Sequence, residues 1–176
     1  MSDPTQTVKV QFHVNGKPVN TEVPNDLALV DFLQEELGLS GTRLCCGIGV
    51  CKACTVAAQR TPSSQPQPML ACSTPVALLQ GQRITTVEGT GSAHRPSKVQ
   101  QAFLTHFAFQ CGYCTPGFVM ATEMLIARLR AAPIARAELD QAIEEAVGQH
   151  ICRCTGYARY QAAIRAVILE EKGLVR

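Results

Sequence analysis

Polar and apolar residues alternate strictly near the start of the chain. Val8, Val10, Phe12 and Val14 are separated by Lys9, Gln11 and His13, a period of two that predicts a strand with one buried face. Asn15-Gly16 follows, a pair suited to a tight hairpin turn whose central residues both need positive φ. Val19, Thr21 and Val23 then alternate back as the partner strand. The period changes after Pro24. Leu29, Phe32, Leu33 and Leu37 share one helical face, Asn25 or Asp26 can cap that helix, and Gly38 can stop it. Thr55-Val56 reads as a strand. Residues 60–68 (RTPSSQPQP) read as a loop, too polar and too broken by proline for an element. Ile84 to Val87 reads as a last short strand.

The second half is helical in period. Pro96 opens a helix with Val99, Ala102, Phe103 and Phe107 on one face. Pro116 opens another over 117–130, apolar almost all round and therefore central. Leu139, Ala142, Ile143, Ala146 and Val147 recur at i, i+3, i+4, i+7 and i+8. Tyr160, Ala163, Ile164, Val167 and Ile168 repeat that spacing. Four short helices with short links predict a bundle. The Gly- and Ser-rich stretch 88–95 marks the boundary, giving domains 1–88 and 89–176. The fold class is α+β. There is no internal repeat and no heptad pattern.

Composition narrows the function. Hydrophobic residues make up 46% of the 176 and charged residues 17%, which excludes wholesale disorder. The apolar runs are too short for a transmembrane helix. Met1 to Thr7 has no basic region followed by an apolar stretch and no twin-arginine pair, so no secretory signal is expected. The formal charge of +2 includes no basic run, so nucleic acid is not a predicted partner. Nine cysteines without a signal favour metal binding or redox chemistry over a disulfide framework.

The cysteines are grouped. Cys46, Cys51 and Cys54 form C-x4-C-x2-C, with Cys72 downstream, the plant-type spacing for a [2Fe–2S] cluster. Gly47 and Gly49 permit the tight curvature that lets three thiolates come from one short loop. Backbone N–H groups there can point at cluster sulfur and stabilise an added electron. Cys45 would give C-x5-C-x2-C instead; the spacing assigns Cys46, and leaves Cys45 as a buried small hydrophobe. The second set is Cys111, Cys114, Cys152 and Cys154, C-x2-C plus C-x-C, each pair just ahead of a predicted helix whose positive N-terminus favours thiolates. That spacing is not the ordinary ferredoxin one and is ambiguous alone. Zinc, a thiol–disulfide centre at Cys111 and Cys114, and purely structural thiols are the rival accounts. His13, His94, His106 and His150 are ungrouped and read as surface or turn residues, although His150, two before Cys152, could tune a cluster. Arg153 could offset cluster charge or pair with a carboxylate. Gln110 is either a satisfied buried amide or a cofactor contact.

Segments 42–56 (TRLCCGIGVCKACTV), 110–118 (QCGYCTPGF) and 151–157 (ICRCTGY) resemble the iron–sulfur subunit of the molybdenum hydroxylases, the xanthine dehydrogenase, aldehyde oxidoreductase and isoquinoline oxidoreductase family. The resemblance covers about residues 8–170. It implies a plant-ferredoxin-like β-grasp domain followed by a four-helix domain, each with one [2Fe–2S] cluster. Cys46, Cys51, Cys54 and Cys72 match the ligands of the outer, more exposed cluster. Cys111, Cys114, Cys152 and Cys154 match those of a buried cluster beside the pterin, which Gln110 and Cys154 would approach. The resemblance further implies a molybdopterin (molybdenum) cofactor and the catalytic residues on a large partner subunit. The reaction it implies is oxidation of an aldehyde or N-heterocycle with water as oxygen source. On that resemblance, electrons would leave one at a time through this chain to a c-type cytochrome or FAD subunit. The Gly-Ile-Gly-Val-Cys form looks more like the isoquinoline-type members, which often lack a flavin subunit and pass electrons to cytochrome c. Assembly is expected in the cytoplasm, and export on a partner's signal would put the complex in the periplasm or at a membrane. A free-standing two-cluster electron carrier is the alternative; an iron–sulfur regulator has neither a DNA-reading helix nor a basic face to support it. Departures from the family pattern are Cys45 and the flanking Val50 and Lys52 where glycine is usual, His150 where asparagine is usual, and a longer 60–68 loop. Eight thiolates and two oxidised cores would change the net charge by about −8 and about +4, leaving the loaded chain near −2.

Overall fold

A computed structural model describes residues 6–176; the leader reading of the first five residues lies outside them. The predicted hairpin forms β1 (Thr7–Val14) and β2 (Lys17–Pro24), paired antiparallel from Thr7↔Pro24 to Val14↔Lys17. Asn15 and Gly16 turn it with φ of 50° and 81°. The Asn15 amide also bonds Thr86 twice, at 2.9 Å each, tying the turn to the end of the last strand. With β3 (Thr55–Gln59), β4 (Gln67–Leu70) and β5 (Arg83–Thr85), the sheet runs β2-β1-β5-β3-β4. Only β1 and β5 are parallel. Val10, Phe12 and Val14 point to one face and pack on Leu29, Leu33, Val56, Leu79 and Ile84.

Several boundaries differ from the sequence expectation. The first helix, α1 (Leu29–Asp31), is capped by neither Asn25 nor Asp26. Its N-cap is Ala28, with no side-chain hydrogen bond. Tertiary pairing is the reason: Leu29 N–H donates to Thr74 C=O and Val76 N–H to Leu27 C=O, both at 2.9 Å, holding 27–29 extended. α1 then widens into a π-helical turn, Phe32–Glu36, closed by Leu37 N–H to Phe32 C=O. Gly38 follows with φ 65°, the expected stop.

The second difference is β4, which takes up Gln67 and Pro68 from the expected loop and pairs them with Ala58 and Ala57. Proline is tolerated because β4 lies at the sheet edge, where no ladder bond is lost. β5 likewise ends at Thr85, and Val87–Gly89 coils into a 3₁₀ turn.

The third difference is in α2 (Lys98–Thr105). Ser97 caps it in a reciprocal box with Gln100, and Val99 and Phe103 are buried as expected. Phe107 is not on that face. It takes a left-handed φ of 48°, lets Ala108 N–H close onto Phe103 C=O at 2.9 Å, and is left 72% exposed. A C-terminal cap geometry overrode the helical period.

α3 (Thr115–Ala131), α4 (Leu139–Val147) and α5 (Ala158–Glu170) complete the bundle with α2. α3 is central, buried at Gly117 to Thr122, Met124 to Ile126 and Leu129. Phe103, Phe118, Leu125, Ile143, Tyr160 and Ile164 belong to this second core. Met120 and Met124 of α3 meet Ala57 of β3, so a small apolar patch joins the two cores.

The C-terminal end of α5 is fastened by charge. Glu171 accepts from Arg130 of α3 at 2.6 and 3.0 Å and from Lys98 of α2 at 3.1 Å. These bonds hold its carboxyl down to about 2. Its folded pKa lies below the unfolded one, so the stabilisation is present above about pH 4.5 and is lost as pH falls towards 2. Both cations are more than half exposed, which reduces the net value to about 1–2 kcal/mol. Glu171→Gln should therefore lower the denaturation midpoint at pH 6, and the gap should shrink below about pH 4.5 and close only as pH approaches 2. A gap that stays constant with pH would contradict this assignment.

Candidate metal centres

The loop between α1 and β3 carries Cys46, Cys51 and Cys54 of the first quartet, and Cys72 follows β4. Around these three cysteines the backbone is left-handed at Gly47 (69°), Gly49 (73°) and Lys52 (62°). Lys52 therefore occupies a position that glycine fits without strain, and a side chain there costs about 1 kcal/mol. The curled loop turns N–H groups onto sulfur. Val50 and Cys51 donate to Cys46 Sγ at 3.3 and 3.4 Å, Gly49 to Cys72 Sγ at 3.3 Å, and Cys72 to Cys54 Sγ at 3.4 Å. Those of Cys51, Ile48 and Val50 hold the Cys46 thiol down to about 6. Burial pushes Cys54 up to about 12. Cys51 and Cys54 are buried, Cys46 and Cys72 half-buried. Cys45 is exposed, contrary to the expectation of a buried small hydrophobe. Its neighbour takes the inward direction, and adjacent residues of a tight loop cannot both do so.

The second quartet lies on two loops of the helical half. Cys114 is the N-cap of α3, and Cys111 stands three residues before it. Cys152 and Cys154 occupy the turn between α4 and α5, ended by Tyr157 at φ 69°. Cys111 Sγ and Cys154 Sγ lie 3.6 Å apart. Cys114 meets Cys152, and also lies 3.5 Å from the Tyr160 hydroxyl, which is 2.8 Å from Thr115 Oγ1. Burial pushes Cys114 up to about 11, so proximity to a helix N-terminus does not prevail there. Cys152 is lowered despite burial, through the Thr155 hydroxyl at 3.2 Å and neighbouring N–H groups. Sequence periodicity placed Tyr160 in the core without revealing that its hydroxyl reaches this site.

The sulfurs approach in pairs: Cys46 with Cys51, Cys54 with Cys72, Cys111 with Cys154, and Cys114 with Cys152. Among the described residues, no three such donors close on a single ion. A zinc site needs four donors around one metal. A two-iron cluster takes its thiolates two to an iron, which fits these pairs.

The remaining candidates separate clearly. Gln110 is exposed and its amide makes no hydrogen bond among the described residues, so it is not a satisfied buried amide. Arg153 is exposed and is in none of the ion pairs among the described residues. His150 is not a surface residue. It is 6% exposed, its Nε2 lies 3.5 Å from Thr55 Oγ1, and its ring packs 5.0 Å from Phe118. Burial, aided by the Lys52 charge, pushes it down to about 4, so it is neutral between the two cores. No neighbouring ligand pattern signalled this; only its place beside Cys152 did.

The quartets also touch through backbone. Ile151 N–H, next to Cys152, donates to Cys51 C=O at 3.1 Å. Tyr113, between Cys111 and Cys114, donates its hydroxyl to Leu44 C=O while Arg43 lies over its ring at 5.7 Å.

Residues 12–77 match the family model of the 2Fe-2S iron-sulfur cluster binding domain, and residues 86–165 match that of the [2Fe-2S] binding domain. Quinoline 2-oxidoreductase from Pseudomonas putida 86 includes a chain 32% identical to this one, with 91% of each chain covered and a TM-score of 0.75. The chain belongs to the [2Fe–2S] subunits of the molybdenum hydroxylases. The aldehyde oxidoreductase of Desulfovibrio gigas superposes with a TM-score of 0.77 at 31% identity, over 95% of this chain and 18% of that one. Aldehyde oxidase 1 of Rattus norvegicus is 42% identical over 161 residues, which is 88% of this chain and 11% of that protein. The chain thus spans about a ninth of the curated relatives it matches. Its cofactors as a hydroxylase subunit are two [2Fe–2S] clusters, one in each matched domain.

Proposed function

We propose that this chain carries electrons, one at a time, from a molybdopterin-binding large subunit to an external acceptor. The reaction served is oxidation of an aldehyde or N-heterocycle with water as oxygen source. The domains are 1–88 and 89–176. Cys46, Cys51, Cys54 and Cys72 hold one cluster, and Cys111, Cys114, Cys152 and Cys154 the other. When bound, each cluster supplies a site that accepts and releases a single electron.

The chain's own groups favour that charge change. N–H groups of Gly49, Val50, Cys51 and Cys72 aim at sulfur and stabilise added negative charge. The Ile151–Cys51 hydrogen bond brings the two ligand loops into direct contact. Buried, neutral His150 excludes water from the seam between them.

One observation carries the subunit reading over a free carrier. On this chain alone the second quartet is the less covered one, because Cys111 and Cys154 are both exposed. The same surface stretch exposes Gln110 and the apolar Phe107, Tyr113 and Ile151. A cluster there needs a second protein surface to exclude water, and the large subunit supplies it, placing Gln110 and Cys154 against the pterin. The acceptor is a c-type cytochrome or FAD subunit. No described helix is long and apolar enough to cross a membrane. Assembly is cytoplasmic, and export on a partner's signal would carry the complex to the periplasm or a membrane. Untagged purification from the native source tests this. Co-elution with a large molybdenum-containing subunit is expected; elution alone, with no molybdenum or pterin in any fraction with it, would overturn it.

A further inference from the structure

The seam between the two ligand-bearing halves leaves no room for a side chain at one point. A Cβ placed on Gly117 would lie 2.3 Å from the Lys52 carbonyl oxygen and 3.1 Å from Ala53 Cα. Both are backbone atoms of the stretch between Cys51 and Cys54, so neither can rotate away as a side-chain tip would. Gly117 has no positive φ, so its conformation does not demand glycine; only the approach does. It lies three residues after Cys114, in the first turn of α3. From the other loop, Ile151 N–H reaches Cys51 C=O at 3.1 Å. Each half of the second quartet is thereby referenced to the same short stretch of the first.

We infer that Gly117 is a positioning residue that sets the separation of the two clusters, by letting the α3 backbone rest directly on the Lys52–Ala53 peptide. The inference rests on the two-cluster reading above. Gly117→Ala must part these backbones by roughly 1 Å, because ordinary contact begins at 3.4 Å. His150 with Thr55, and Met120 and Met124 with Ala57, lie along the same seam and would move with it. Both ligand sets stay chemically intact, so the change falls on spacing rather than on iron content.

The test uses the purified holo-chain, parent and Gly117→Ala, fully reduced and compared by low-temperature EPR. Two nearby spins split each other's signals, and the splitting falls with the cube of their separation. The expected result is four irons per chain in both proteins and a narrower splitting in the variant. Four irons with unchanged splitting would overturn the inference. If the variant holds fewer than four irons, Lys52→Gly/Gly117→Ala decides. Lys52 is left-handed at φ 62°, and glycine there frees the obstructing peptide to rotate. Recovery of iron and splitting supports the inference; failure to recover contradicts it. Fewer than four irons in the parent would count instead against the two-cluster reading.

Discussion

Replacing Cys46 by serine should halve the iron of the purified chain, from four atoms to two, and remove one of its two EPR signals. Cys45→Ser should leave both unchanged. The two residues are neighbours with the same side chain, so only direction distinguishes them. Cys46 Sγ collects N–H groups from Val50 and Cys51 and sits beside Cys51, whereas Cys45 is exposed. Those donors also hold the Cys46 thiol down to about 6, so it is largely thiolate at neutral pH, the form iron needs. Iron analysis beside EPR checks both variants. Loss of the signal in Cys45→Ser and its retention in Cys46→Ser would reverse the ligand choice.

Tyr160→Ala should unfold the helical half at far lower denaturant, costing about 3–5 kcal/mol. Tyr160 is fully buried, stacked at 4.1 Å on Phe118 and edge-on at 5.5 Å to Phe103, and no neighbour can fill its place. The conservative Tyr160→Phe separates packing from chemistry. It keeps the ring and removes the hydroxyl that lies 2.8 Å from Thr115 Oγ1 and 3.5 Å from Cys114 Sγ. Its stability cost should be only about 1 kcal/mol. Its redox effect should be selective: with one fewer donor to a cluster sulfur, the midpoint potential of one signal falls while the other stays in place. Denaturant titration and potentiometric EPR read the two effects. Equal shifts in both signals would contradict the placement of Tyr160 at a single cluster.

Much of this was legible in the chain because local rules and tertiary structure agreed. Alternation from Val8 to Val14 and the Asn15-Gly16 turn specify the first hairpin by themselves. The almost wholly apolar stretch 117–130 marked the central helix, since one side packs on the bundle and another on β3. Legibility failed where contacts distant in sequence decide. Asn25 and Asp26 are good caps, yet the backbone of 27–29 bonds to 74–76 instead. Gln67 and Pro68 enter a strand because Ala57 and Ala58 offer a sheet edge. Phe107 fits the helical period, but the helix has already ended and Phe107 itself makes the left-handed turn.

The metal sites show the same division. Spacing singled out Cys46, Cys51, Cys54 and Cys72 as one candidate set, because three cysteines on one loop are a local property, whereas Cys111, Cys114, Cys152 and Cys154 were singled out as a ligand set only by the family resemblance. The orientation of Cys45, the burial of His150 against Thr55 and Phe118, and the contact of Gly117 with Lys52 arise only when two halves of the chain meet. The family resemblance implies an exposed first cluster and a buried second one, and on this chain the exposure runs the other way. The second quartet is the less covered, the difference that the proposed large subunit would reverse.

The most direct measurement is quantitative EPR of the reduced, untagged chain with iron and sulfide counted on the same sample. Two distinguishable signals, one spin each, with four irons and four sulfides per chain are predicted. A single signal with two irons, or zinc in place of iron in either half, would contradict the account.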